Sequence, residues 1–445
     1  MEEHIPLRDK AGEVLTSTMW DGDRKPDSSR ARHLPNLPLE LQEVIVNELE
    51  GENEALKQCA LTCRLYRYLA QKLLFKSVVL EFNCEDAVQK FLGILQNPSQ
   101  LSGYVKHLSI GERHGRHEAD RAQMLLNTSI AQIIPALTNV VDLLLGGFVY
   151  FWFTDLKPSL QLAIIAKCES LLGLMLVRVK DVPLKIFDHL PRLEKIDIHC
   201  VAFANRRGSD PHCRVVTPPC RIKDMRLADA NIPRMGSRTV YPFFMEQKIA
   251  VGLLQSLSIT MDRRSWEPFL PTDIEAVKGL IRNNAESLRF LEVIISEHAH
   301  VVLANDEPMF HVSKMPALEE FAVGGVLCNS EIEIPATGSI DFGWLSRHLE
   351  TIPSGRKLNS VVLRIAIFWG TLVTDDILNL EGLAYFENLI VDKVLPQADS
   401  FYVKFKIWDR YGDIGPVAKQ MQERLPTLQG LNVLHFEEYR TGLGD

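Results

Sequence analysis

The sequence has no CxxC pair among its eight cysteines, no apolar run behind a basic N-terminus and no surplus of positive charge. Each absence removes a class of protein. Cys59, Cys63, Cys84, Cys168, Cys200, Cys213, Cys220 and Cys328 are scattered, mostly through apolar stretches, as reduced thiols are and as a disulfide scaffold is not. The opening MEEHIPLRDKAGEVL has acidic residues where a secretory leader would be basic and then apolar. Secretion is not expected, and with reduced thiols the expected location is cytoplasmic and/or nuclear. The most apolar window, 130–153, is broken by Gln132, Pro135, Asn139 and Asp142, which reads as core and not as a membrane span. With 49 Lys+Arg against 57 Asp+Glu, the net charge of −8 offers no overall basic footprint for nucleic acid.

Catalytic signatures are also missing. There is no GxGxxG opening a helix, no GxxxxGK[ST], no GxSxG, no HExxH and no HRD. An enzyme is therefore not expected, nor a cofactor. The histidine pairs His114/His117 and His298/His300 have no Cys or His ligands nearby at metal spacing and read as polar loops, so no metal is expected. Arg206, Arg207, Arg214, Arg221 and Lys223 form a basic stretch, either a solvated loop or a patch for a phosphopeptide.

What is present divides into three regions. Residues 1–33 mix seven acidic with six basic side chains and have no apolar period, which describes a flexible extension or a segment regulated by phosphorylation at Ser28 or Ser29. Residues 34–75 turn helical. Leu41, Val44, Ile45 and Leu49 fall at i, i+3, i+4 and i+8, a single apolar face that Gly51 ends. Leu56, Cys59, Ala60 and Cys63 form a second stripe, and Tyr66, Leu69 and Leu73 a third. Three short helices bury little on their own, and Val46, Leu61 and Leu65 lie beside the inner faces, so the unit is expected to pack against something else.

Residues 76–445 carry a repeat, Φ-x-x-Φ-x-x-Φ-x-Φ, with Φ apolar. It fits Leu137/Val140/Leu143/Leu145, Cys168/Leu171/Leu174/Leu176, Leu190/Leu193/Ile196/Ile198, Val251/Leu254/Leu257/Ile259, Ala285/Leu288/Leu291/Val293, Met315/Leu318/Phe321/Val323 and Leu425/Leu428/Leu431/Val433. Weaker copies end at Ile110, Leu227 and Leu363, and residues 401–407 fill a remaining gap. The period is about 30 residues, the mark of a solenoid. The final Φ-x-Φ is a half-buried strand, and 86–95, 273–282 and 417–425 read as return helices. The fold class is α/β: a three-helix unit followed by an αβ solenoid with a parallel sheet, resembling a leucine-rich-repeat horseshoe that has lost its asparagine ladder.

In such a coil, the strand positions between the inward Φ residues and just after them face the recognition side. They include Met175, Val177, Asp197, His199, Arg226, Ser258, Thr260, Glu292, Ile294, Val362 and Arg364. Met175, Asp197, His199, Arg226, Thr260, Glu292 and Arg364 are the candidate substrate-binding residues. Their mixture of apolar side chains with both charges suits a protein ligand better than nucleic acid.

LPLELQEVIVNELE followed by ALKQCALTCRLYRYLAQKLLF resembles an F-box, in the form common in large fungal F-box families. The passage through LFKSVVLEF and NPSQLSGYVKHLSI resembles the way those proteins continue into a leucine-rich-repeat-like domain. The resemblance implies a substrate receptor: the helices dock on a Skp-family adaptor, which leads to a cullin-RING ubiquitin ligase, and the repeats capture a protein substrate. The positions matching the adaptor-facing pattern are Leu37, Pro38, Leu41, Ile45, Leu56, Leu61, Cys63 and Tyr66. Thr62 and Tyr66 depart from the frequent valine and tryptophan. A leucine-rich-repeat interaction scaffold without ligase function is the alternative.

Overall fold

The computed structural model describes residues 37–82, 84–96, 100–112, 128–204, 221–228, 253–261, 271–296, 308–328, 342–355, 357–369, 383–409 and 415–438. The N-terminal extension, both histidine pairs and Arg206, Arg207 and Arg214 lie outside these residues.

Three helices come first: α1 (Leu39–Asn47), α2 (Asn53–Thr62) and α3 (Arg64–Leu74). Pro38 starts α1, its carbonyl accepting the N–H groups of Leu41 and Gln42, while the Gln42 side chain donates to the Leu37 carbonyl at 2.6 Å. Gly51, at φ +97°, makes the turn toward α2 that a side chain would resist. Val46, Leu56, Leu69 and Ala70 form the small core, with Leu49, Cys59, Ala60, Leu65, Tyr66, Leu73 and Leu74 packed around it. This corrects the expected inner face of α1. Of Leu41, Val44, Ile45 and Leu49, only Leu49 turns inward, and Val46 takes the central place. A nine-residue helix with Val44, Ile45 and Val46 in succession offers two apolar faces, and packing on α3 decides between them.

Among the described residues the sheet has twelve strands, every adjacent pair parallel, in sequence order: β1 (Ser77–Glu81), β2 (His107–Glu112), β3 (Asp142–Trp152), β4 (Gly173–Lys180), β5 (Lys195–His199), β6 (Asp224–Ala228), β7 (Ser256–Met261), β8 (Phe290–Ser296), β9 (Glu320–Cys328), β10 (Leu358–Trp369), β11 (Ala398–Asp409) and β12 (Leu434–Glu438). Register aligns the repeat's last apolar position into one ladder: Leu80, Ile110, Leu145, Leu176, Ile198, Leu227, Ile259, Val293, Val323, Leu363, Val403 and Leu434. All twelve are buried. A second inward ladder, two residues earlier, runs from Val78 through Leu108, Leu143 and Leu174 to Phe401, as the period of two requires.

Return segments supply the other half of the core. They include α4 (Glu85–Gln96), α5 (Thr128–Ala136), α6 (Pro158–Cys168), α7 (Pro271–Asn284), α8 (Phe342–Glu350), α9 (Leu383–Leu389), α10 (Gly415–Arg424) and α11 (Pro426–Gly430), with single 3-10 turns at Leu184–His189 and Val312–Lys314. Val88, Ile133, Ile164, Val277, Leu349 and Phe386 from these helices join the ladders in one continuous core. The expected return helices at 86–95, 273–282 and 417–425 are α4, α7 and α10. The last repeat copy slips from its expected register. Leu431 is half exposed, and β12 begins at Leu434, because α11 and a positive φ at Asn432 intervene.

One backbone device recurs at the corners before β2 to β10. The Lys76 carbonyl accepts the N–H groups of both Lys106 and His107, and Lys106 in turn accepts from Val141 and Asp142. The same step repeats through Val141, Leu172, Glu194, Lys223, Gln255, Arg289 and Glu319. Each of these corner amides is thus satisfied by the preceding repeat, with no side chain needed. Serine reinforces two corners. Ser170 Oγ lies 3.4 Å from the Val140 carbonyl and 3.1 Å from that of Lys167, and Ser287 Oγ lies 2.8 Å from Leu254 and 3.1 Å from Asn284. Buried Asn284 adds a further tie, accepting the Leu254 N–H at 3.2 Å and donating to the Leu280 carbonyl at 2.8 Å. The polar ties that an asparagine ladder would supply are made here by shared carbonyls and by scattered side chains such as Ser170, Ser287, Asn284, Asn139 and Ser400.

Candidate functional site

Two surfaces stand out. The first belongs to the three helices. Leu37, Leu41, Val44 and Ile45 form an exposed stripe along α1, and Leu61, 72% exposed, ends α2. Leu41, Val44 and Ile45 occupy the i, i+3 and i+4 positions of one helix face, and none of the five side chains joins the small core beneath. Of the candidate adaptor-facing residues, Leu37, Pro38, Leu41, Ile45, Leu61 and Cys63 are exposed, and Tyr66 is half-buried against the core. Leu56 departs from that expectation. At 1% exposure it is the centre of the helical core and has no surface to offer. Val44, assigned to the inner face by its spacing, belongs to the exposed stripe instead.

The unit also touches the first repeat. Tyr68 packs edge-on against Tyr104, ring centroids 5.8 Å apart, and Lys76 pairs with Glu50. Thr62 donates to the Cys59 carbonyl at 2.8 Å, so its hydroxyl finishes α2.

The second surface is the sheet face turned away from the inward ladders. Register places Met175, Asp197, Arg226, Ser258, Glu292, Ala322 and Val362 in one row across β4–β10. Val177, His199, Ala228, Thr260, Ile294, Gly324 and Arg364 form the next row. All seven candidate substrate-binding residues therefore share one face, over seven adjacent strands about 4.8 Å apart.

Charge on this face is organised. Asp197 and His199, two apart on β5, pair with each other. Glu292, only 8% exposed, accepts the Ser258 hydroxyl at 2.6 Å through Oε2 and pairs through Oε1 with Arg364 Nη1. Arg364 reaches from β10 over β9 to β8. The crossing is possible because β9 presents only Ala322 and Gly324 there. A Cβ on Gly324 would fall 2.0 Å from the Arg364 carbonyl oxygen, so this strand position accepts glycine alone without backbone movement. Sequence reasoning named both ends of the pair but not the small residues between them. Their signal is the Gly324-Gly325 doublet inside an apolar strand.

Arg226 differs from Arg364. It is exposed on β6, and its side chain makes no hydrogen bond or ion pair with any described residue. Toward the first strands the face becomes apolar, with Val79, Leu144, Met175 and Val177, and Lys180 closes that end over the rings of Tyr150 and Trp152 at 4.6 and 5.1 Å. No group of three metal-ligating side chains occurs among the described residues, and no described helix is long and apolar enough to cross a membrane.

No protein-family model matches the chain, and no curated protein matches it. Among solved structures, one titled "Crystal structure of Rad7 and Elc1 complex in yeast" aligns over 85% of this chain and 91% of that chain, at 12% sequence identity and a TM-score of 0.31. A likeness of that degree carries no inference. The described residues form an α/β repeat protein with one parallel sheet backed by return helices, consistent with a leucine-rich-repeat-like solenoid.

Proposed function

We propose that the chain is the substrate-recognition subunit of a Skp-cullin-F-box ubiquitin ligase. In this reading its helices bind a Skp-family adaptor, and its repeats hold a protein substrate beside the ligase. The role is non-enzymatic and works by raising effective concentration. One observation carries it: Leu37, Leu41, Val44, Ile45 and Leu61 remain exposed on helices whose own core is already complete. Apolar side chains clustered on a surface are the anchors of protein interfaces, and adaptor helices of complementary apolar character would bury them. The F-box resemblance of residues 34–75 supplies the adaptor's identity.

The test is co-expression of the full chain with a Skp-family adaptor, beside a Leu41, Ile45 and Leu61 triple-alanine variant, followed by size-exclusion chromatography. Co-elution of the wild type alone, with both chains folded by circular dichroism, is the expected result. A folded wild type that never co-elutes removes the reading.

A second reading has an observation of its own. The Tyr68–Tyr104 contact and the Lys76–Glu50 pair tie the helices to the first repeat, as a solenoid cap would be tied. In that case the protein is a repeat scaffold without ligase function.

A further inference from the structure

We propose that Arg226 and Arg364 form an anion-binding subsite on the open face of the sheet, which takes two acidic side chains, carboxylate or phosphate, from an extended segment of the protein substrate. The inference deepens the substrate-receptor reading and rests on it for the occupant being a protein.

The argument starts from a cost. A buried carboxylate paired with a guanidinium seldom stabilises a fold more than apolar residues of the same shape would, because both ions lose their water. On the open face of a sheet such a pair has no packing role that valine could not fill, as buried Val362 shows on Arg364's own strand. Yet Glu292 is over nine-tenths buried there, braced by the Ser258 hydroxyl, and it pins the Arg364 guanidinium over β9.

What the arrangement achieves is fixed geometry. The Arg364 Nε is buried and donates to no acceptor among the described residues, so the group is held in place without being fully satisfied. A guanidinium held ready has already lost the rotamer freedom that ligand binding would otherwise remove.

The second cation has no partner among the described residues. Arg226 stands exposed in the same row as Glu292, on β6, with no described partner. Of the two carboxylates in these two rows, Glu292 is engaged by Arg364 and Asp197 by His199, while Asp224 and Glu320 stand one row earlier on the same face. In these two rows the one charge without a partner among the described residues is that of Arg226. Because Arg364 is drawn toward β8, the two guanidinium groups lie about two strand spacings apart, roughly 10 Å. About three residues of extended chain span that distance.

The experiment uses the full chain and three fluorescent twelve-residue Gly/Ser peptides. They carry two glutamates, two phosphoserines or two lysines, placed three positions apart, and binding is read by anisotropy at low and moderate salt. The expected result is saturable binding of both anionic peptides, weakened by salt, with none for the lysine peptide. Arg226→Glu weakens it at least tenfold. So does the double change Glu292→Gln with Arg364→Gln, which removes both charges together and leaves no lone buried carboxylate. Tighter binding of phosphoserine than of glutamate would identify phosphate as the natural group, and the reverse would identify carboxylate. The proposal is overturned if the lysine peptide binds as well, if neither anionic peptide saturates up to millimolar concentration, or if a folded Arg226→Glu chain binds undiminished. Adaptor co-elution reads out separately. Its loss with peptide binding intact would sink the ligase reading alone.

Discussion

Ser170 and Ser287 hold the same place in two different repeats, each hydroxyl bridging a carbonyl of its own turn and a carbonyl of the repeat before. Both follow a glutamate and precede a buried leucine, in Glu169–Leu171 and Glu286–Leu288. Replacing Ser287 with alanine strands the buried Leu254 carbonyl and should lower stability by about 1 kcal/mol. The Ser170→Ala effect should be smaller, since its inter-repeat contact is longer. The two losses should add, because the sites share no partner. Urea denaturation of the two single variants and the double variant checks all three statements.

Glu387 on α9 reaches the next return segment, its Oε1 accepting the N–H groups of Thr427 and Leu428 at 2.8 and 3.0 Å. It caps α11 from outside that helix's own sequence. Glu387→Ala should cost about 2 kcal/mol, at the upper end for a lost helix cap. Glu387→Gln retains an acceptor oxygen and should recover at least half. Protease sensitivity near residue 427 would show where the loss falls.

The helical unit separates anchors from core. Leu41→Ala and Leu61→Ala remove exposed side chains and should shift stability by no more than about 0.5 kcal/mol. Leu56→Ala opens the centre of the unit and should cost about 3 kcal/mol. If Leu41→Ala lowers the melting temperature as much as Leu56→Ala does, the stripe is covered by the protein itself and the proposed docking face is lost.

Gly324→Ala should destabilise by at least about 2 kcal/mol, because the new methyl meets backbone and cannot be relieved by a side-chain rotation. A chain that folds with unchanged stability would show that β9 can shift away from β10.

Burial pushes the Cys168 thiol up to about 12, with the Glu169 carboxylate adding to the effect. In the unfolded chain the same thiol ionises near 8.5. The folded state thus keeps a proton that the unfolded state releases, so this contribution to stability is full below about pH 8.5 and falls as pH rises beyond it. Cys63 and Cys84 are exposed. At pH 8 iodoacetamide should label those two while sparing Cys168, as mass spectrometry of the native protein would read. Labelling of Cys168 at the rate of Cys63 would contradict its burial.

The repeat was legible because its signal is redundant. Leu174 and Leu176, Ile196 and Ile198, and Leu291 and Val293 each announce an inward pair, and fixed spacing confirms each from the others. The open face followed from alternation alone, since every residue between two inward positions must point away. α1 was misread because Leu41, Val44, Ile45 and Val46 satisfy two faces at once, and no neighbouring copy exists to break the tie. Leu56 was misplaced for a related reason: a resemblance to an adaptor-binding pattern does not separate the residues that touch a partner from those that support them. The Glu292–Arg364 pair was named residue by residue, yet its joining depends on Gly324 and Ala322, which carry no charge to attract notice.

The shared corner carbonyls have a consequence for how such a protein could change partners. Because the strand lattice is closed by backbone from Lys76 to Glu319, its pitch does not depend on which side chains occupy the outward rows. Those rows behave as a printed grid, with fixed coordinates and replaceable characters. Substitution at a few grid points would change the surface presented while the frame beneath stays as it is, and lengthening of the segments between return helix and strand would leave the spacing of the grid untouched.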